Sequence, residues 1–436
     1  MKNIIDQKLK WNFASKFFSG ISGPITIIFL LIFFTTSEQG IFYSLIQFSF
    51  IATIGDMGFS AFFLYRLSKF KDKIDNKKKI IYESDSRNEL LKINKFFIYF
   101  ISLTPIIMFF ILYIFGNLIF KSLIEEGLIS LLFLSFFCLV VALEINLQYF
   151  RSYLDGMGFI KNSGKFTFIQ YLSRSLFLWS FILFGFGIVS LAFSVLAGVF
   201  IFYLLFFWKY GWILKKSIKS EISKKDNIFE KRFNFDLFLS WLFGAQIINA
   251  NIYFVLLFLG VEEAGRFGIS LAIMEGIYQL SYVFFQVKIP AISNYYKTNK
   301  LEEAETLLTS RRNIVLALNV FFFTIFLVLY LILISLFPFV EERFLSLELI
   351  SLIFIFTLTR TFLDTWQVIS RAFGRDVLYK SYIFSGFFIV IMNYFLIPNY
   401  GILGCLLSMV LCRLMINLPI AGHDLNKFKK LNLIKN

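Results

Sequence analysis

The sequence predicts an all-α integral membrane protein of about twelve transmembrane helices, and three observations carry that prediction. The 436 residues are 58% apolar, with a mean hydropathy of +0.74, against about 45–50% apolar in a soluble domain. The excess falls in long runs without charge, such as Ile21 to Thr36 and Leu316 to Leu336. Runs near this length match the hydrocarbon core of a bilayer at about 1.5 Å per helical residue. The third observation is the placement of the basic residues in the loops between the runs.

Spans are expected at 11–36, 41–66, 96–120, 127–150, 166–186, 188–208, 236–259, 266–289, 314–337, 345–370, 379–397 and 401–421. Gly185-Phe186-Gly187 divides the fifth from the sixth, because the undivided run is too long for one crossing. The first apolar stretch follows a short basic start and is too long for a signal-peptide core. It is expected to stay as the first membrane helix.

The net charge of +15 would suggest nucleic acid in a soluble protein. Here the loops explain it, and no nucleic-acid partner is expected. With the N-terminus inside, the outer loops hold three basic residues, Lys121, Arg266 and Arg343. Four more, Lys16, Arg174, Arg360 and Arg413, fall within spans, and the rest of the 43 lie on the inner side. A missing or extra span would scramble this alternation, so the positive-inside rule supports both the count of twelve and cytoplasmic termini. The outer loops are short and acidic. The two longest loops, 67–95 and 209–235, are inner and Lys-rich.

The second long loop divides the chain six spans and six. This gives a first lobe at 1–208, a cytoplasmic linker at 209–235 and a second lobe at 236–436. A short repeat agrees with the division. Glu38-Gln39-Gly40-Ile41-Phe42 and Glu263-Ala264-Gly265-Arg266-Phe267 both read Glu-x-Gly-x-Phe, each after the first span of its half. Two parallel repeats about an axis along the membrane normal would give this pattern.

The chemistry-bearing residues lie in the spans, where ionisable groups are costly and mark function by default. They recur at helical spacing: Ser49, Thr53, Asp56 and Ser60 on the second span, Glu275, Gln279, Tyr282 and Gln286 on the eighth, and Arg360, Asp364, Gln367 and Arg371 on the tenth. Shorter stripes are Glu144, Gln148, Arg151 on the fourth and Gln170, Arg174 on the fifth, with Arg413, Asn417 on the twelfth. A single Gln or Asn would be helix–helix glue. Charged stripes on so many spans predict a shared polar cavity. Its candidate lining is Asp56, Glu144, Arg174, Arg360, Asp364 and Arg413, with Arg360 and Asp364 one turn apart and able to pair. The arginines are candidates for an anionic head group, because guanidinium offers phosphate a planar fork of donors. Glu275 is the candidate ion-coupling site, for a proton or a sodium ion.

Other chemistries have no sequence support. Cys138, Cys405 and Cys412 lie inside apolar runs, and His423 is the single histidine, so neither a metal site nor a cofactor site is expected. There is no phosphate-binding glycine loop and no nucleophile–base motif. An enzyme is not expected.

Two segments carry a family resemblance. Thr35-Thr36-Ser37-Glu38-Gln39-Gly40-Ile41-Phe42-Tyr43, followed by Gly55-Asp56-Met57-Gly58-Phe59, resembles the first hairpin of O-antigen flippases of the Wzx type. Asp56 and Met57 stand where Glu and Leu are usual. Ile397-Pro398-Asn399-Tyr400-Gly401-Ile402-Leu403-Gly404 is similar to the Pro-x-Tyr-Gly-x-x-Gly turn before that family's last helix. The resemblance implies the multidrug/oligosaccharidyl-lipid/polysaccharide (MOP) exporter fold, with two six-helix lobes around a central cavity. It implies an undecaprenyl-pyrophosphate-linked glycan as substrate, alternating access driven by an ion or the membrane potential, and the bacterial inner membrane as location. Membrane lipids, a polysaccharide polymerase and a chain-length regulator are the implied partners. The rival readings are a multidrug extruder of the same fold, a membrane polysaccharide polymerase and a scaffold subunit. A polymerase would carry a large outer loop with arginines, which this chain lacks.

Overall fold

The computed structural model describes residues 2–56, 58–68, 70, 74–75, 80–81, 84–218, 235–298, 300–372 and 376–433. Met57, Lys77, the 219–234 part of the expected linker and the side chain of Lys16 lie outside the described residues. Sixteen α-helices are described: α1 (Lys2–Phe33), α2 (Thr36–Ser49), α3 (Phe59–Ser68), α4 (Ser84–Ile119), α5 (Lys121–Glu125), α6 (Leu131–Glu144), α7 (Asn146–Gly156), α8 (Ile160–Leu183), α9 (Val189–Ile218), α10 (Phe235–Leu259), α11 (Val261–Gln286), α12 (Ile289–Lys297), α13 (Leu301–Leu336), α14 (Leu347–Ala372), α15 (Tyr379–Leu411) and α16 (Leu418–Leu433). Two-residue strands at Ile74–Asp75 and Ile80–Ile81 pair antiparallel. Among the described residues seven helical stretches are long and apolar enough to cross a membrane, with shorter apolar stretches at Gly20–Phe33 and Asn249–Leu259.

Among the described residues each expected span overlaps helix, but several boundaries move. Both α4 and α13 run for 36 residues, roughly 54 Å at helical rise, well beyond a hydrocarbon core of about 30 Å. The expected division after the fifth span is present. Gly185 and Gly187 sit at φ +78° and +52°, where a Cβ would be strained. The Thr-x-Glu turn proves to be a capping box. The Thr35 hydroxyl accepts from the Glu38 backbone N–H at 3.2 Å, and the Glu38 carboxylate accepts from the Thr35 N–H at 2.8 Å. This satisfies two orphan donors at the start of α2.

The second span is not the continuous helix expected over 41–66. It tightens to a 3-10 helix at Phe50–Asp56, passes Gly58 at φ +83° and restarts as α3. Ser49, Thr53, Asp56 and Ser60 therefore do not share one α-helical face, since the 3-10 helix turns 120° per residue. Asp56 instead caps α3, accepting from the Ser60 N–H at 3.0 Å and the Ser60 hydroxyl at 2.5 Å. The fourth span runs as one helical stretch over Leu131–Gly156, with Ile145, between α6 and α7, still at helical φ −58° and ψ −34°. The last span contains a π-helix at Cys412–Asn417.

Spans eleven and twelve are joined by a reversal at Gly401 (φ +58°, ψ −142°) within α15. Asn393 and Ser408 would lie roughly 22 Å apart on one straight helix, yet the Ser408 hydroxyl donates to the Asn393 side chain. Asn393 also donates to Asn251 of α10 at 2.7 Å. The turn is tight enough that a Cβ on Gly404 would stand 2.3 Å from the Leu396 carbonyl oxygen.

The chain packs as two compact units, Met1–Ser19 with Ile51–Phe233, and Gly20–Phe50 with Asn234–Asn436. The first is cored by aromatic side chains, among them Phe63, Phe97, Tyr149, Phe150, Tyr153 and Phe206, all fully buried. The second carries a core of Tyr278, Phe285, Ile292, Val315 and Ile369. The stretch Gly20–Phe50, assigned to the first lobe in sequence, packs with the second unit because α2 lies directly on α11. At that crossing the two Glu-x-Gly-x-Phe repeats meet. A Cβ on Gly265 would stand 2.9 Å from the Gly40 nitrogen, and one on Gly40 would stand 1.9 Å from the Val261 carbonyl oxygen. The buried Gln39 amide donates across the crossing to the backbone carbonyls of Gly265 (3.1 Å) and Arg343 (3.2 Å).

Candidate functional site

The expected site residues divide between the two units. Asp56, Glu144 and Arg174 belong to the first, and Glu275, Arg360, Asp364 and Arg413 to the second.

In the second unit, α14 presents Phe356, Arg360 and Asp364 at successive turns. Arg360 Nη1 donates to Glu275 Oε1 of α11 at 2.5 Å, and its Nε donates to Asp364 Oδ2 at 3.3 Å. The guanidinium also lies 4.6 Å from the ring centre of Tyr278. The Tyr278 hydroxyl donates to Asp364 Oδ2 at 2.5 Å. Arg360 is thus held by two carboxylates and an aromatic face, and the one-turn pairing expected with Asp364 is only part of its coordination.

Arg413 is built differently. It sits on the π-helix, is 3% exposed, and stacks 4.4 Å from the ring centre of Phe356. Among the described residues it has no carboxylate within ion-pair distance, and its buried Nε has no acceptor. Arg360, Asp364 and Tyr382 are close enough to act on its charge. Two cations and two carboxylates therefore gather here, but both carboxylates are taken by Arg360. Among the described residues Arg413 has no ion-pair partner, and its buried guanidinium rests on the Phe356 ring. A buried charge of that kind is costly unless something pairs with it, and π-helical insertions are frequent at functional sites.

In the first unit, Arg174 Nη1 donates to Glu144 Oε1 at 2.5 Å. The pair crosses from α8 to the last residue of α6. Gly198 of α9 lets α8 approach there, since a Cβ on it would lie 3.3 Å from that of Arg174. Arg174, expected as a free anion contact, thus has a carboxylate already. Asp56, expected in the cavity lining, is bound to Ser60 as a helix cap. Arg151 was in a stripe but not among the expected site residues, and Tyr278 and Phe356 were in no site at all. The signal for Tyr278 and Phe356 was their spacing from Glu275 and Arg360, at i+3 and i−4. Among the described residues no group of three His, Cys, Asp or Glu side chains could hold a metal ion.

No family model matches the sequence, and no curated protein matches it. Solved structures do. An inward-facing multidrug resistance MATE family transporter of the MOP superfamily superposes with a TM-score of 0.59 at 15% identity, covering 97% of this chain and 96% of that one. An outward-facing conformation of such a transporter gives 0.55 at 14% identity, over 97% of each chain. A MOP superfamily transporter from Pyrococcus furiosus, whose binding pocket is said to have reverse polarity, gives 0.50 at 13% identity, over 97% of this chain and 93% of that one. At these identities the likeness is one of fold, and this chain has the all-helical membrane fold of the MOP-superfamily transporters over nearly its whole length.

Proposed function

We propose that the chain is a flippase that carries undecaprenyl-pyrophosphate-linked oligosaccharide across the bacterial inner membrane, for assembly of a surface polysaccharide. The observation that carries this reading is the buried Arg413, which has no carboxylate within ion-pair distance among the described residues. An anionic head group would supply the missing counter-charge, and a guanidinium edge suits a phosphate. The termini are cytoplasmic in this reading, as the loop charges require. Glu275 is held by Arg360 through one carboxylate oxygen, so a coupling proton or sodium ion would compete with that arginine for the carboxylate. The fold is shared with proteins named as multidrug transporters, which keeps extrusion of a small organic molecule as the second reading. An organic cation would be repelled by Arg413, and that favours the anionic lipid.

The test is complementation of a strain lacking the gene, at matched protein level. Arg413→Gln is expected to lower surface polysaccharide tenfold or more, the loss expected from one charge-assisted hydrogen bond. Lipid-linked repeat units should accumulate inside. Arg413→Lys should retain part of the display, since it keeps the charge and loses the fork. Normal display with Arg413→Gln, or a deletion strain altered only in drug susceptibility, overturns the proposal.

A further inference from the structure

The first unit holds another arginine whose pairing is incomplete. Arg151 lies on α7, and its Nη2 donates to Gln170 Oε1 of α8 at 2.7 Å. Gln170 is 1% exposed, so this contact is fixed inside the unit. The rings of Tyr171 and Phe202 flank the guanidinium, with centres 5.7 and 5.8 Å from its carbon. Among the described residues no carboxylate lies within ion-pair distance of it, and its buried Nε has no acceptor.

This geometry holds the guanidinium plane and leaves an edge over. Two aromatic faces and one amide oxygen fix the orientation, and Nη1 makes no hydrogen bond among the described residues. The Arg174–Glu144 pair lies beside it. Arg174 is one turn beyond Gln170 on α8, and Glu144 is two turns before Arg151 on the fourth span, roughly 6 and 10 Å away at helical rise. The carboxylate of that pair, Glu144, is bound to Arg174 and not to Arg151. Arg151 thus offers a pre-oriented donor edge with no carboxylate within ion-pair distance among the described residues, which is the arrangement that recognises an oxyanion.

We propose that Arg151 is a second phosphate-binding residue, in the first unit, taking an oxygen of an isoprenoid diphosphate on its Nη1 edge beside the Arg174–Glu144 pair. This rests on the reading of the chain as a carrier of pyrophosphate-linked lipid. It adds a station that the Arg413 site does not require. Gln170 and the two rings are positioning groups here, and Arg174 stays with Glu144.

The test uses the purified full chain in phosphatidylcholine nanodiscs, with farnesyl pyrophosphate as probe and farnesol as the uncharged control. Arg151→Gln is expected to weaken farnesyl pyrophosphate binding tenfold or more, and Arg151→Lys less, with farnesol binding unchanged. A second measurement needs no variant. Phenylglyoxal, which modifies arginine, should label Arg151 in the native chain, and farnesyl pyrophosphate should protect it, as read by mass spectrometry. Binding that is lost with Arg413→Gln but untouched by Arg151→Gln, with Arg151 unprotected, overturns this inference and leaves the transport reading standing. Protection of Arg151 by phosphatidylglycerol nanodiscs alone would assign the contact to bulk lipid and overturn it also. Failure of the unaltered chain to bind farnesyl pyrophosphate overturns both.

Discussion

Replacing Arg360 with methionine is expected to destabilise the protein by about 3 kcal/mol, the low end of the range for removing one partner of a buried ion pair. The low end applies because Arg360 and Glu275 keep 20% and 27% of their side-chain exposure. The loss comes mainly from what is left behind. Asp364 would keep the Tyr278 hydroxyl as donor, whereas Glu275 has no other hydrogen-bond partner among the described residues. Rescue should therefore be unequal. Adding Glu275→Gln to Arg360→Met should restore most of the stability, and adding Asp364→Asn much less. The measurement is thermal melting of the detergent-purified variants in a double-mutant cycle. Equal rescue by the two second substitutions would show that Arg360 is not divided between its carboxylates as the geometry has it.

Gly40→Ala should be as damaging through a different cause. The new Cβ would stand 1.9 Å from the Val261 carbonyl oxygen, a contact that only backbone movement relieves. Since α11 is packed by its own neighbours, α2 must lift from it. Lifting breaks the hydrogen bonds of Gln39 to Gly265 and Arg343 and strains the close packing of Gly268 on Tyr43. The expected cost is about 3 kcal/mol or more, from overpacking and lost buried hydrogen bonds together. Gly276→Ala is the control. Gly276 lies within α11 with nothing within 4 Å of an added Cβ, so alanine there should be neutral or gain about 1 kcal/mol of helix propensity. If the two alanine variants melt alike and display polysaccharide alike, the glycine crossing does not hold the helices together.

Much of the fold was legible because bilayer thickness and loop charge act on composition, which a sequence displays directly. The twelve runs and the Gly185–Gly187 division are of that kind. The 3-10 segment at Phe50–Asp56 and the π-helix at Cys412–Asn417 were not legible. Each changes the winding of a helix without changing its apolar character, and the competing geometry is decided by tertiary contacts. The site was legible as a set of residue types but not as pairs. Arg360 and Asp364 are one turn apart and could be paired from spacing. Arg360 with Glu275, or Arg174 with Glu144, requires knowing which helices lie side by side. Hence spacing offered Arg360 a partner in Asp364 and offered none to Arg174 or Arg413, and only packing separated the two that are ion-paired from the one that is not. The Glu-x-Gly-x-Phe repeat was visible as a repeat, while the need for glycine appears only where the two copies touch.

The reversal at Gly401 bears on how the chain enters its membrane. Asn393 and Ser408 sit on opposite arms of the turn and satisfy each other, with Pro398 to Gly401 as the whole connection. The first arm inserted alone would leave the Asn393 side-chain oxygen without its Ser408 donor in hydrocarbon, where an unsatisfied polar group costs several kcal/mol. Inserted together, the arms present lipid with side chains such as Tyr394, Phe395 and Leu403, which remain exposed. The last two crossings are thus a single unit of biogenesis, and the insertion machinery must hold the first arm until the second has been made.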